Sequence, residues 1–336
     1  MHCRACLALG FLEQRGVLTH PVRPRRYRRR TQRTERPLTT ADTDDTLAYY
    51  TRPGPFTDAG SHLEALRALP SDIPDLLDSL HGLLIHEHLT WAYGVDHRPD
   101  HNETSNLRAI GDVIGRLLAD GRPLTDRREP AERVAGTCRD FTVFAVAALR
   151  AHGISARARC GFGAYFGVPT NEDHWVAEYW NADESRWILT DAQVDQRQRE
   201  LFGIDLDVTD VPRDQFIVAG LAWRRCRAGE DDANRYGLKM TEEFGDWWIA
   251  ANLIRDAAAV SNMEMLPWDV WGAIPEPEDV IDADLTALLD KLAGLTADPE
   301  TAADARTLYR KDDRLHVPAT VRNANRGHDE PVFLRG

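Results

Sequence analysis

A capped, almost wholly apolar helix is the feature that most constrains how this chain can fold. Thr137 and Asp140 occupy the two key positions of a T-x-x-D capping box, which satisfies free N–H groups at the start of a helix. Residues 141–149 are apolar on nearly every side, and Gly153 is a C-terminal stop signal. Because such a helix has no face for water, other elements must surround it. Its first residue is Cys138.

Three β-strands are predicted directly after this helix. Residues 154–166, 174–180 and 186–191 are rich in aromatic and branched side chains, and short polar or glycine-containing segments separate them. Strands this close along the chain pair antiparallel through short turns. One buried helix followed by an antiparallel sheet predicts an α+β fold.

Further helices are predicted on both sides of this core. Apolar residues recur at helical spacing over residues 72–89, 106–119, 241–260 and 276–296. We expect a basic, disordered tail over 1–45, one domain over 46–300 and a polar C-terminal tail over 301–336. Within the domain we expect a helical part over 60–120, a central part over 130–215 and a Trp-rich helical part over 240–296.

The charge of the chain argues against several kinds of partner. Ten arginines and two glutamates over residues 1–37 give +8, which leaves −21 for the rest of a chain with net charge −13. An acidic body is unsuited to phosphate backbones, so we expect no nucleic acid on the folded part. The arginine-rich segment 23–30 could contact nucleic acid, although a solvated tail is the favoured interpretation. No apolar run of about eighteen residues occurs, so no membrane partner is expected.

Five cysteines, an odd number, argue against a disulfide framework and favour a reducing, cytoplasmic location. Cys3 and Cys6 form a C-x-x-C pair, but a metal or redox role is not favoured without a second pair or nearby histidines at zinc spacing. The short apolar patch 7–12 does not predict a signal peptide. Cys160 and Cys226 are expected to be packed, unreactive thiols.

Three neighbouring histidines, His81, His86 and His88, invite a metal-site interpretation. Residues two apart on a helix point to different faces, so the three cannot all converge on one ion within the helix predicted over 72–89. Partly buried structural histidines are the favoured interpretation. We expect neither a metal nor another cofactor.

Cys138 is the candidate nucleophile. A thiol attacks as its thiolate, and the start of a helix favours negative charge. A nearby imidazole can take the proton, and a carboxylate can orient that imidazole. His174 and Asp191 are the candidates for these two roles.

The hairpin between the second and third predicted strands places His174 relative to Asp191. A turn centred on residues 182–183 makes the two residues direct cross-strand neighbours. The Cβ atoms of such a pair lie roughly 5 Å apart, close enough for the side chains to bond. A slip of one residue would send them to opposite faces, and Asp195 or Asp173 would then be the alternative carboxylate.

These residues carry a resemblance to a known family. The segments are Gly-Thr-Cys138-Arg-Asp, Asp-His174-Trp-Val-Ala-Glu-Tyr-Trp and Trp-Ile-Leu-Thr-Asp191, and they resemble the transglutaminase-like superfamily, whose core is a papain-like cysteine-enzyme fold. The order Cys, His, Asp and the gaps of 36 and 17 residues fit. The resemblance, over about residues 130–200, implies that Cys138 is the nucleophile, His174 the general base and acid, and Asp191 the orienting carboxylate. Nothing in the chain resembles the calcium-binding loops of animal crosslinking enzymes.

The resemblance implies an enzyme that attacks an amide or thioester carbonyl and forms an acyl-enzyme, with hydrolysis slightly favoured over acyl transfer to an amine. Its substrate would be a peptide, a protein or a small-molecule amide or thioester. Four tryptophans are expected mainly in the core, although some could line the acyl pocket: Trp247, Trp248, Trp268 and Trp271. The alternative function is a non-catalytic module that binds a peptide or protein partner, which predicts an unreactive Cys138.

Overall fold

The computed structural model describes residues 40–333, in which groups of helices and groups of strands follow one another along the chain. The helices are α1 (Thr40–Thr51), α2 (Leu63–Arg67), α3 (Ile73–His81), α4 (Pro99–Thr104), α5 (Ile110–Leu118), α6 (Cys138–Ala151), α7 (Gln196–Phe202), α8 (Ala219–Arg227), α9 (Asp246–Ala259), α10 (Ala283–Thr296) and α11 (Ala305–Lys311). The strands are β1 (Leu84–His86), β2 (Val134–Gly136), β3 (Ala156–Gly163), β4 (Asn171–Asn181), β5 (Arg186–Thr190), β6 (Phe216–Val218), β7 (Tyr236–Leu238), β8 (Glu243–Phe244), β9 (Asp269–Val270), β10 (Thr320–Asn323) and β11 (His328–Pro331).

The predicted apolar helix is α6. Every residue from Arg139 to Arg150 is buried. A hydrophobic core that also draws on α3, α5, β3, β4 and β5 surrounds it. Because a helix enclosed in this way cannot shift without breaking those contacts, α6 gives Cys138 a fixed position.

The main sheet has the order β6-β3-β4-β7-β8, and β5 also pairs with β4. The pairings β3–β4, β3–β6, β4–β5 and β7–β8 are antiparallel, whereas β4–β7 is parallel. The three strands predicted after α6 correspond to β3, β4 and β5. The predicted α+β class is confirmed.

The register of the β4–β5 hairpin differs from the prediction by two residues. The first pair next to the turn is Asn181–Arg186 and the last is Ala177–Thr190, because the turn occupies four residues, 182–185. Asp191 therefore lies one residue beyond β5, and its direct pairing with His174 is wrong. A shift of two residues, unlike a shift of one, keeps a side chain on its face of the sheet.

The helix predicted over residues 72–89 is also wrong in its second half. Helix α3 ends at His81, and Gly82 follows as its C-cap. Residues Leu84–His86 then form β1, which pairs in parallel with β2 so that His86 lies opposite Gly136. A short apolar run fits a helix and a strand equally well by periodicity, and here the pairing with β2 decides.

A second hydrophobic core joins α8, α9, α10 and α11. The segment predicted as a polar tail over 301–336 contributes Tyr309 and Val321 to it, both buried. Its elements are too short for a periodic apolar pattern to be visible, and long-range packing orders them instead.

Residues 1–39 and 334–336 lie outside the described part, and with them lie the Cys3–Cys6 pair, the segment 23–30 and most of the predicted basic tail. Helix α1 begins at Thr40, inside the stretch 1–45 that was predicted as that tail. Over residues 40–333, no helix has the length and apolar character that crossing a bilayer requires.

Candidate active site

The start of α6 is held by a network around Asp140. The backbone N–H of Thr137 donates to Asp140 Oδ2 at 2.7 Å, and the Thr137 hydroxyl lies 3.2 Å from the same oxygen. Gly136 permits this arrangement, because a Cβ at that position would lie 2.8 Å from the Asp140 Cβ. The predicted capping interaction therefore fixes the chain on both sides of Cys138.

Arg139, the residue after Cys138, anchors the same end of the helix to distant segments. Its buried guanidinium donates to the carbonyl oxygens of Glu264 (2.9 Å), Leu107 (3.3 Å) and Arg108 (2.7 Å) and to Asp140 Oδ1 (2.9 Å). Five N–H donors in a rigid plane suit Arg to this bridging. The position of Cys138 thus depends on parts of the chain before and after the helix.

His174 and Asp191 contact each other directly. His174 Nε2 lies 2.8 Å from Asp191 Oδ2, and both side chains are buried. The imidazole also packs against Phe166 and Tyr165, with ring centroids 4.8 and 6.0 Å away. The predicted partnership is therefore present, and Nδ1 is the ring nitrogen that remains available to another group.

Asp191 is saturated with hydrogen-bond donors. Its Oδ2 also accepts from the Tyr165 hydroxyl at 2.7 Å, and its Oδ1 accepts from the backbone N–H groups of Gln193 (2.9 Å) and Val194 (3.2 Å). Burial alone would raise the pKa of this carboxyl, but His174 and these donors hold the pKa below its ordinary value. Asp191 is thus a fixed carboxylate, and Tyr165 is a site residue that sequence reasoning missed.

The sulfur of Cys138 lies beside β4, near enough to the backbone N–H of Trp175, the residue after His174, for that N–H to act on the pKa of the thiol. Cys138 is partly exposed. Burial of the sulfur, followed by the nearby Asp173 carboxyl, raises the pKa of the thiol well above its ordinary value. This direction is opposite to the effect expected from the helix N-terminus alone. Among the described residues, no hydrogen bond joins Cys138 to the His174 ring, and the raised pKa favours the neutral thiol.

The two alternative carboxylates are engaged elsewhere. Asp173 accepts from the Asn252 side chain of α9 at 2.7 Å. Asp195 caps α7 by accepting from the backbone N–H of Gln198 at 2.9 Å, and it also accepts from the Tyr93 hydroxyl at 2.9 Å. Asp191 is therefore the carboxylate bound to His174.

Two of the three neighbouring histidines, His81 and His86, lie near this site. His81 Nε2 lies 3.1 Å from the carbonyl oxygen of Ala192, next to Asp191. His86 lies near enough to His174 and Asp191 for their charges to act on its pKa. No cluster with metal-binding geometry occurs among the described residues. The sequence did not indicate that His81 and His86 lie near this site, because the helix predicted over 72–89 gave them a different geometry.

The remaining predicted side chains lie in the cores or close to them. Cys160 is fully buried, and Cys226 packs partly on the second core, where burial raises the pKa of its thiol to about 12. Trp248 and Trp271 also pack in the second core. Trp268 donates to the side chain of Asn106 at 2.9 Å.

Comparison with known proteins identifies the segment that carries this site. Residues 102–192 match the family described as the Transglutaminase-like superfamily, a stretch that includes Cys138, His174 and Asp191. This match confirms the predicted transglutaminase-like core. No curated protein matches the chain.

Among solved structures, the chain is similar to that of a candidate cysteine protease from Cytophaga hutchinsonii, with 18% sequence identity and a TM-score of 0.31. The matched region covers 54% of this chain and 48% of that one, so the chain spans about half the length of that structure.

Proposed function

We propose that Cys138, His174 and Asp191, which lie in the stretch 102–192 that matches the transglutaminase-like superfamily, are the catalytic triad of an enzyme acting on an amide or thioester carbonyl. The observation that supports this most is the 2.8 Å contact between His174 Nε2 and Asp191 Oδ2, on the strand beside which the Cys138 sulfur lies. That contact fixes one ring nitrogen and leaves Nδ1 for the thiol.

Acylation begins from the neutral thiol. The Cys138 proton moves to His174 Nδ1 as the sulfur bonds to the carbonyl carbon, and the C=O π pair moves onto oxygen. When the C=O bond re-forms, the bond to the leaving amine or thiol breaks and His174 gives its proton to that group. Asp191 stays ionised and stabilises the imidazolium between the two transfers.

Deacylation uses the same groups in reverse. His174 takes a proton from water or an acceptor amine, whose oxygen or nitrogen attacks the thioester carbon, and the C–S bond breaks as the sulfur regains a proton. We favour water as the acceptor and a peptide, protein or small-molecule amide or thioester as the substrate. We also propose a cytoplasmic protein without nucleic-acid or membrane partners. The acidic body is unsuited to phosphate backbones, and the odd number of cysteines favours a reducing location.

The test uses p-nitrophenyl acetate, an activated acyl donor that needs no specific pocket. We expect a burst of one equivalent of nitrophenolate and an acetyl group on the Cys138 peptide by mass spectrometry. Cys138→Ser should abolish the burst, and His174→Ala should slow it about 100-fold. His152→Ala is the matched control, since His152 contacts the carbonyl of Leu69 instead.

The outcome that overturns the proposal is acetylation of Cys138 at the rate of an unstructured cysteine peptide, with no effect of His174→Ala. The thiol would then have no working base, and the chain would be better described as a non-catalytic module that binds a peptide or protein partner.

A further inference from the structure

His86 stands at the point where the chain enters the nucleophile helix. It is the last residue of β1 and lies opposite Gly136, two residues before Cys138. Paired strands are about 4.8 Å apart, so the backbone of His86 is a direct neighbour of the segment that leads into α6. The side chain is partly exposed, unlike those of Leu84 and Ile85 before it.

One hydrogen bond defines which nitrogen of the His86 ring carries the proton. The backbone N–H of His88 donates to His86 Nδ1 at 3.3 Å. A neutral imidazole that accepts at Nδ1 must carry its hydrogen on Nε2. Over residues 40–333, this Nε2–H has no protein acceptor, so it is a donor available to a bound molecule.

The ring is also kept uncharged. Burial, followed by the charges of His88 and His174, lowers the pKa of His86 well below its ordinary value, although Asp191 acts in the other direction. A neutral imidazole can hydrogen-bond a developing negative charge without giving up its proton to it. The surroundings therefore favour a donor rather than a general acid.

A thiol attack on a carbonyl needs such a donor. The carbonyl oxygen becomes negative in the tetrahedral intermediate, and preorganised N–H groups at that position stabilise it. The first N–H groups of α6 have no partner within the helix, and that of Cys138 is the nearest to the sulfur. One backbone N–H alone leaves the second side of the oxygen unpaired.

We propose that His86 supplies the second oxyanion donor, its Nε2–H pairing with the substrate oxygen together with the backbone N–H of Cys138. The proton stays on His86 throughout, and the negative oxygen returns its electron pair to the carbonyl when the leaving group departs. This inference rests on the proposed function, and it assigns the oxyanion side chain that no sequence motif of this chain identifies.

The test compares two reactions of the same thiol. Iodoacetamide alkylates the Cys138 sulfur at an sp³ carbon without an oxyanion, whereas p-nitrophenyl acetate acylates it through one. In His86→Ala we expect the acylation rate to fall about 100-fold while the alkylation rate stays within about twofold. His86→Gln, which restores an N–H donor, should recover part of the loss.

Two further variants separate catalysis from folding. His152→Ala is the matched control, because His152 caps the far end of α6 and contacts the carbonyl oxygen of Leu69, so both rates should stay unchanged. His86→Asn keeps an acceptor for the backbone N–H of His88, and its shorter amide cannot bring an N–H to the position of Nε2, so it should retain the thermal midpoint of the wild type and still lose acylation.

The results that overturn the inference are specific. Equal losses of alkylation and acylation in His86→Ala would mean that His86 supports the thiol or the fold, and unchanged acylation would mean that it donates to nothing. Failure of the proposed function looks different, because wild-type acylation would then be independent of His174.

Discussion

The Tyr165 hydroxyl donates to Asp191 Oδ2, the same oxygen that His174 Nε2 contacts. Tyr165 belongs to the short helical turn after β3, whereas His174 belongs to β4. Two elements therefore hold one carboxylate oxygen, and two backbone N–H groups hold the other. The orientation of the imidazole is determined by this whole set of donors and not by the His–Asp pair alone.

Tyr165→Phe should remove one hydrogen bond to Asp191 while it keeps the aromatic ring in the core. Loss of a donor to a buried carboxylate costs about 2 kcal/mol of stability and raises the pKa of Asp191. We expect the acid limb of the alkylation profile of Cys138 to move to higher pH. The control is Tyr50→Phe, a buried tyrosine whose hydroxyl donates to the Val260 carbonyl at 2.7 Å. It should lose stability and leave the profile unchanged; an equal shift in both variants would contradict the prediction.

Asp191→Asn should lower both the acylation rate and the stability, although Asn has nearly the same shape as Asp. In one orientation the amide NH₂ would face the backbone N–H groups of Gln193 and Val194, which cannot accept. In the other it would donate to His174 Nε2 and leave the ring hydrogen on Nδ1, which could then not take the Cys138 proton. We expect acylation to fall about 100-fold, with a loss of about 2 kcal/mol in the free energy of unfolding.

Asp195→Asn is the control for that variant, because Asp195 likewise accepts from a tyrosine hydroxyl and a backbone N–H. It should be destabilised but should acylate at the wild-type rate. A rate loss in Asp195→Asn larger than in Asp191→Asn would reverse the assignment of the carboxylate.

Gly136→Ala tests the packing beside Cys138. The new Cβ would lie 2.8 Å from the Asp140 Cβ and 2.9 Å from its Oδ2, so the capping carboxylate must move. We expect a cost of about 2 kcal/mol and slower alkylation of Cys138. Gly294→Ala, a helical glycine with nothing within 4 Å of the added Cβ, should be neutral or stabilising. Thermal unfolding and labelling rates distinguish the two.

Glu87 predicts a pH dependence of stability. It is buried beside Ser105, and burial raises the pKa of its carboxyl to about 7. The unfolded chain releases this proton near pH 4.3, so between about pH 4.3 and 7 the folded state binds more protons. Stability is therefore lost as the pH rises through this window, by on the order of 3 kcal/mol in total.

Glu87→Gln removes the titrating group and keeps an acceptor for Ser105. Its advantage in unfolding free energy over the wild type should be smallest at pH 5 and largest at pH 8, as measured by urea unfolding. Glu64→Gln, at a mostly exposed position, should show the same small difference at both values. A constant difference for Glu87→Gln would contradict the assigned pKa.

The sequence predicted the parts of the fold that local patterns encode. The capping residues and the length of the apolar run predict helix α6, and the composition of the segments after it predicts the strands. The segment around Leu84 was wrongly predicted as helix, because three apolar residues in a row fit a helix and a strand equally well. Only its pairing with β2, fifty residues later in the chain, makes it a strand.

The site was predictable to the same extent. Order and spacing make Cys138, His174 and Asp191 the candidates, and His174 does contact Asp191 although the turn is centred one residue later than predicted. Tyr165 could not be found, because its role depends on where a turn after β3 comes back to Asp191. Long-range contacts of this kind leave no trace in a local pattern.

The arginines of α6 and β3 set a lower limit on how short this protein can be made. Arg139 donates to the carbonyl of Glu264, and Arg159 pairs with Asp256 at 3.0 Å, both beyond the matched stretch 102–192. A chain trimmed to that stretch would keep both cations and lose these acceptors. Expression trials of the matched region should therefore extend at least through residue 264, since an unpaired guanidinium inside the core costs several kcal/mol.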